Sequence, residues 1–179
     1  MLITLFGKIL GMVREQLLAA NYGTDMQAAA FLLASRIPRT FFDVIFASAI
    51  SASFIPVFVE YLQKKGRQEA FSLANRFITM ISTVTLLMML LGMAFAKPLT
   101  LLIAPGYDVE TVTLCVGLLR MLFPTMLFTA VAFSFVGILQ SLEEFNVPAA
   151  LSVVSNGVLI LYYIFFNEKF GILGLTAAF

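Results

Sequence analysis

The chain has 179 residues, of which 61% are hydrophobic and only 12% charged, and its formal net charge is +1. Its mean hydropathy is +1.00, whereas a soluble domain is nearer half apolar with about a quarter charged; the composition is that of an integral membrane protein, an all-α polytopic helix bundle. One cysteine and no histidine exclude a disulfide framework, Cys/His metal sites and any histidine-based triad or proton relay, and the near-neutral charge offers nothing to nucleic acid.

Residues 2–20, LITLFGKILGMVREQLLAA, predict a first helix that is apolar but charged in its middle. Lys8, Arg14 and Glu15 leave no uninterrupted apolar core for a cleavable signal, so this helix is read as retained. Gly7 and Gly11 form a G-x-x-x-G, which suits close helix contact. Lys8 and Glu15 share a face, with Arg14 about a third of a turn round. The stretch Asn21-Tyr22-Gly23-Thr24-Asp25 is a turn signal.

Residues 26–62 predict a long second helix of roughly 55 Å, with charges inside it rather than at its ends. That exceeds the ~30 Å hydrocarbon core, so a tilt or bend is expected, with Pro38 and Pro56 as bend points. Spacings of three and four put Arg36, Arg39 and Asp43 on one side. A charge at mid-membrane depth costs several kcal/mol unless it faces a partner or a water-filled cavity. The charged side runs into small residues at 47–53, and the whole is read as one wall of a polar cavity.

Further helices are expected at 70–96, around the uncharged run 77–96, then at 109–142 and 147–167, with a sixth starting at 170–179. Residues 99–108 read as a loop or short interfacial turn, Glu168-Lys169 as another turn. Arg120 and Pro124 interrupt the fourth helix as packed structural or gating residues. Ten apolar residues at the end cannot span a membrane, so the sequence reads as a fragment with five complete helices. Lys64, Lys65, Arg67 and Arg76 make the 63–76 loop basic, which places it, and the amino terminus, in the cytoplasm.

The order of short motifs resembles the opening of the MurJ/MviN family. They are Gly11-Met12-Val13-Arg14-Glu15, Tyr22-Gly23, Ile37-Pro38, Ser53-Phe54-Ile55-Pro56-Val57, Ala104-Pro105-Gly106-Tyr107 and Leu119-Arg120-Met121-Leu122-Phe123-Pro124. The resemblance implies a flippase that carries lipid II, the undecaprenyl-linked peptidoglycan precursor, across the bacterial inner membrane. It also implies two lobes around a central cationic cavity that faces each side in turn, of which this chain covers most of the first. The missing carboxy-terminal lobe would be its partner. By the same likeness Lys8 stands at a basic position ahead of the first-helix glycine, and Arg14 is the cavity arginine with Glu15 beside it. Two features depart from the pattern. Ala28-Ala29 stand where the family has Thr-Asp, and Phe42-Asp43 replace an arginine pair, while Arg39 appears earlier in the same run.

The expected substrate-binding residues are therefore Arg14, Lys8, Arg39 and Arg36, with Glu15 and Asp43 as charge partners. Cavity cations replace the hydration of a pyrophosphate and offer it bidentate donors. Ser48 and Ser51 are neutral candidates for sugar hydroxyls. Bland readings stand beside these: an ion pair with Glu15 or snorkelling for Arg14, a structural i,i+4 pair for Arg39 and Asp43. No nucleophile–base pair suggests an enzyme, and without a Gly-rich phosphate loop no ATP hydrolysis is expected here. No cofactor or metal is expected; an ion gradient or the membrane potential would drive transport, at about 2.3 kcal/mol per charge per 100 mV. Alternatives are a flippase for another undecaprenyl-linked saccharide, a small-molecule antiporter, which would favour a more acidic cavity, and a membrane scaffold for cell-wall assembly, which needs no mid-depth charge.

Overall fold

A computed structural model describes residues 2–23 and 25–179, with the backbone alone at Ala47. The described secondary structure is helical throughout. The helices are α1 (Leu2–Tyr22), α2 (Met26–Phe42), α3 (Ile55–Lys64), α4 (Arg67–Ala94), α5 (Ala96–Ile103), α6 (Val109–Ser141), α7 (Asn146–Phe165) and α8 (Asn167–Ala178). Two wide π-helical turns, Asp43–Ala47 and Ile50–Phe54, join α2 to α3. Together they make one helical rod, Met26–Lys64. That rod, α4, α6 and α7 are each long and apolar enough to cross a membrane. α1 has the length, but Lys8, Arg14 and Glu15 break up its apolar run.

α6 is the central post. It is apolar all the way round, the pattern of a helix buried on several sides, and Cys115, Leu118, Leu119, Leu122, Phe123, Met126 and Ala130 are all buried. α2 and α4 lie along it, and α1 lies along α7. Two apolar clusters divide the core. One joins α1, the first half of α2, α7 and α8 to α6 through Phe31, Ile37, Leu119, Leu159 and Leu175. The other joins the π-helical segment, α3 and α4 to α6 through Phe42, Phe46, Phe54, Phe58 and Met126.

The prolines are absorbed rather than breaking their helices. Pro38 lies within α2 and Pro124 within α6, and both helices continue through them. Pro56 opens α3 directly after the second π-helical turn, where the Ile55 N–H donates to the Ile50 carbonyl five residues back. A proline removes one donor and crowds the carbonyl four residues earlier; a wider turn just before it relieves that crowding.

Several boundaries differ from the sequence reading. Residues 99–103, expected in a loop or short interfacial turn, belong to helix α5: Pro98 is its third residue, in the first turn, where N–H groups lack helical partners. Buried Thr100 anchors α5, its hydroxyl donating to the Ala96 carbonyl at 2.9 Å and the Cys115 sulfur at 3.9 Å. Asn21 and Tyr22 complete the last turn of α1, and α4 begins at Arg67 and stops at Ala94. Glu168 and Lys169 belong to the first turn of α8, which kinks at Gly171, where φ is 52°. A left-handed φ of this kind suits glycine, and the Tyr162 hydroxyl caps the freed Gly171 carbonyl at 2.8 Å.

Candidate functional site: a cationic cleft beside α1

The cleft is built on a tight seam between α1 and α7. A Cβ placed on Gly7 would stand 2.9 Å from the Ser152 hydroxyl, and one on Gly11 would stand 3.7 Å from Asn156. Glycine at position 7 lets the helix backbones approach closely, whereas a Cβ at position 11 would make an ordinary contact. Asn156 locks the seam: its buried side-chain amide donates to the Gly7 carbonyl at 3.1 Å and to the Ser152 carbonyl at 2.9 Å. At the other end, the Tyr22 hydroxyl donates to Asn167, whose amide donates to Asn21 at 3.0 Å. With α1 fixed along α7, its charged side turns toward α2.

Three adjoining hollows result. The first, about 460 Å³, is lined by Arg14, Glu15, Ser35, Arg36, Arg39 and Tyr163 among others. The second, about 640 Å³, shares Arg14, Glu15 and Arg39 with it and adds Lys8, Phe133, Gln140, Ser152, Ser155 and Asn156. The third, about 230 Å³, joins Arg39 and Asp43 to Pro38, Thr125, Thr129 and Phe133. Lys8, Arg14, Arg36 and Arg39, from two helices, thus line connected hollows that also hold Glu15 and Asp43. The cations outnumber the carboxylates, so the cleft is net positive.

Its ion pairs are loose. Arg14 Nη2 lies 3.5 Å from Glu15 Oε1, and Arg39 Nε lies 3.8 Å from Asp43 Oδ2. Neither is a bidentate fork, and both carboxylates are more than half exposed, so each pair is worth little and leaves most guanidinium donors unused. Arg14, 27% exposed, is the most enclosed of these paired charges. Lys8 and Arg36 have no charged partner among the described residues.

The remaining sequence candidates lie elsewhere. Arg120 is exposed and donates from Nε to the Met93 carbonyl at 3.3 Å, tying α6 to the end of α4. Pro56 and Pro124 line none of the three hollows. Ser48 and Ser51 are exposed on the π-helical segment, outside the arginine hollows; Ser48 donates to the Val44 carbonyl and Ser51 to the Ser48 carbonyl, both at 3.4 Å. The neutral polar lining comes instead from Gln140, Ser152, Ser155 and Asn156. Their signal in the sequence is a group of polar residues spaced three and four apart, Ser152, Ser155 and Asn156, in an otherwise apolar α7.

Comparison with known proteins identifies the family. A family model described as "Lipid II flippase MurJ" matches residues 18–179. The chain belongs to the MurJ lipid II flippase family. Among curated relatives of this MurJ-family chain, the "Probable lipid II flippase MurJ" of Rhizobium tropici is 32% identical over 179 residues, covering 98% of the chain and 33% of the relative. The protein of that name in Buchnera aphidicola subsp. Acyrthosiphon pisum is 31% identical over 171 residues, covering 94% of the chain and 34% of the relative. The "Lipid II flippase MurJ" of Burkholderia cenocepacia is 26% identical over 164 residues, covering 90% and 32%. The chain therefore spans about a third of the length of the curated relatives it matches. Arg36, Arg39 and most of the other residues lining the hollows lie within the range matched to the MurJ model; Gly7, Lys8, Gly11, Arg14 and Glu15 precede it.

Proposed function

We propose that this chain is the amino-terminal lobe of a flippase that carries lipid II across the bacterial inner membrane by alternating access. One observation carries the reading: Lys8, Arg14, Arg36 and Arg39 line a connected, net positive cleft within a bundle of apolar helices. A charged group at that depth is expensive and marks a substrate path by default. A polyprenyl pyrophosphate presents a dianionic head group that has to cross the same apolar slab, and guanidinium forks match phosphate oxygens.

Arg14 and Arg39, shared by the two larger hollows, hold the pyrophosphate. Arg36 and Lys8 extend the positive surface on either side of them. Glu15 and Asp43 act as resting partners that the phosphate displaces, at small cost because the pairs are long and exposed. The amino terminus and the basic connection from α3 to α4, with Lys64, Lys65 and Arg67, lie in the cytoplasm, so the head group enters from the α1 amino-terminal side. A second lobe completes the cavity, since alternating access is the motion of one repeat against another. The membrane potential or an ion gradient supplies the direction. The protein is a transporter and not an enzyme.

Growth rescue tests this in bacteria depleted of their own lipid II flippase. The full-length parent restores growth, and Arg14→Ala at equal expression does not. A parent that is expressed and inserted yet restores nothing transfers the reading to another undecaprenyl-linked saccharide.

A further inference from the structure

The second hollow has a part that the pyrophosphate does not use. Besides the charged Lys8, Arg14, Glu15 and Arg39, its lining holds neutral polar groups, Gln140 from α6 and Ser155 and Asn156 from α7. Hydroxyls elsewhere in these helices satisfy themselves: Thr85, Ser134 and Thr176 each donate to the carbonyl four residues earlier, at 2.7 to 2.8 Å. Ser155 and Gln140 do not; neither side chain has a hydrogen-bond partner among the described residues. The Asn156 amide nitrogen is used on Gly7 and Ser152, which leaves its oxygen as an acceptor. Phe133, 46% exposed, adds a flat apolar wall shared with the third hollow. Both a donor and an acceptor are available from each of Gln140 and Ser155, with no charge.

We infer that Gln140 and Ser155 form a sugar subsite, which takes the uncharged ring attached to the pyrophosphate held by Arg14 and Arg39. The inference rests on the flippase reading and deepens it. A sugar joined directly to a pyrophosphate has to lie next to the phosphate site, and this is the neutral polar wall that shares Arg14 and Arg39 with it. Uncharged donors and acceptors match ring hydroxyls, whose transfer from water into the cleft needs replacement hydrogen bonds. Selection then comes from these polar groups, which are left unpaired when the sugar is missing.

Binding of two lipids to the purified full-length parent tests the subsite: lipid II, and undecaprenyl pyrophosphate without the sugar. Gln140→Leu and Ser155→Ala weaken lipid II binding by roughly three- to tenfold each, the effect of one lost neutral hydrogen bond. They leave undecaprenyl pyrophosphate binding unchanged, which also reports an intact fold, while Arg14→Ala weakens both lipids. Ser155→Thr, which keeps the hydroxyl, binds lipid II better than Ser155→Ala. If Gln140→Leu and Ser155→Ala bind lipid II as the parent does, the subsite is overturned and the flippase reading stands. An equal loss for both lipids, with Ser155→Thr no better than Ser155→Ala, overturns it too. If the parent binds neither lipid, the flippase reading fails and takes the subsite with it.

Discussion

Arg14 and Arg39 keep their carboxylates at 3.5 and 3.8 Å, close enough to offset charge and too far to saturate a guanidinium. In the proposed mechanism, Glu15 and Asp43 are exchangeable partners of this kind. Glu15→Gln and Asp43→Asn are each expected to slow lipid transport several-fold at unchanged expression, because the resting pair that resets the cleft is lost; transport at the parental rate would remove the exchange from the mechanism. Asp108, which precedes the candidate span Val109–Ser141, is the N-cap of α6, accepting from the Thr111 hydroxyl at 2.5 Å and the Thr111 backbone N–H at 3.2 Å. These bonds, the hydroxyl first, hold its pKa below the usual aspartate range. A carboxyl with a lowered folded-state pKa stabilises fully above its ordinary value and loses that contribution as pH falls through the lowered one. Wild type is therefore expected to melt above Asp108→Asn at neutral pH, and the gap to close on acidification; a gap independent of pH would contradict the assignment.

The seam between α1 and α7 depends on the close approach at Gly7 and on one amide. Gly7→Leu drives a side chain into Ser152 and is expected to cost about 1–3 kcal/mol, the usual range for overpacking. Asn156→Leu gives up a membrane hydrogen bond of about 0.6 kcal/mol on average, so the melting temperature in detergent should fall far more for Gly7→Leu. A reversed order would mean that the amide, not the close approach, holds the seam. The G-x-x-x-G that signals this contact was readable, because backbone proximity needs only the absence of side chains. Its partner was not readable, since nothing in the spacing of Gly7 and Gly11 names Ser152 and Asn156 on α7. α5 was misread for a physical reason as well: Lys97-Pro98 resembles a helix terminator, yet a proline in a first turn removes a donor that had no partner. The π-helical turns at Asp43–Ala47 and Ile50–Phe54 left no mark except Pro56, because one extra residue per turn does not alter the apolar character of the stretch.

At the scale of the molecule, the apolar composition already specifies a membrane helix bundle, and the helices able to span, set around α6, agree with it. The side of each helix that faces the cleft is a property of packing. Arg36, Arg39 and Asp43 share a side by their spacing, but only the docking of α1 along α7 brings Lys8 and Arg14 to the same hollows. Ser48 and Ser51, the neutral candidates of the sequence, lie outside them, whereas Gln140 and Ser155 line one of them. The central claim is that this positive cleft carries an anionic lipid head group across the bilayer. Its most direct measurement uses the purified full-length parent in sealed vesicles loaded with lipid II, scoring the fraction of lipid II that becomes reachable from the opposite face. The account predicts a rise above protein-free vesicles for the parent and none for Arg14→Ala reconstituted at the same density. Exposure by Arg14→Ala equal to that of the parent would contradict it.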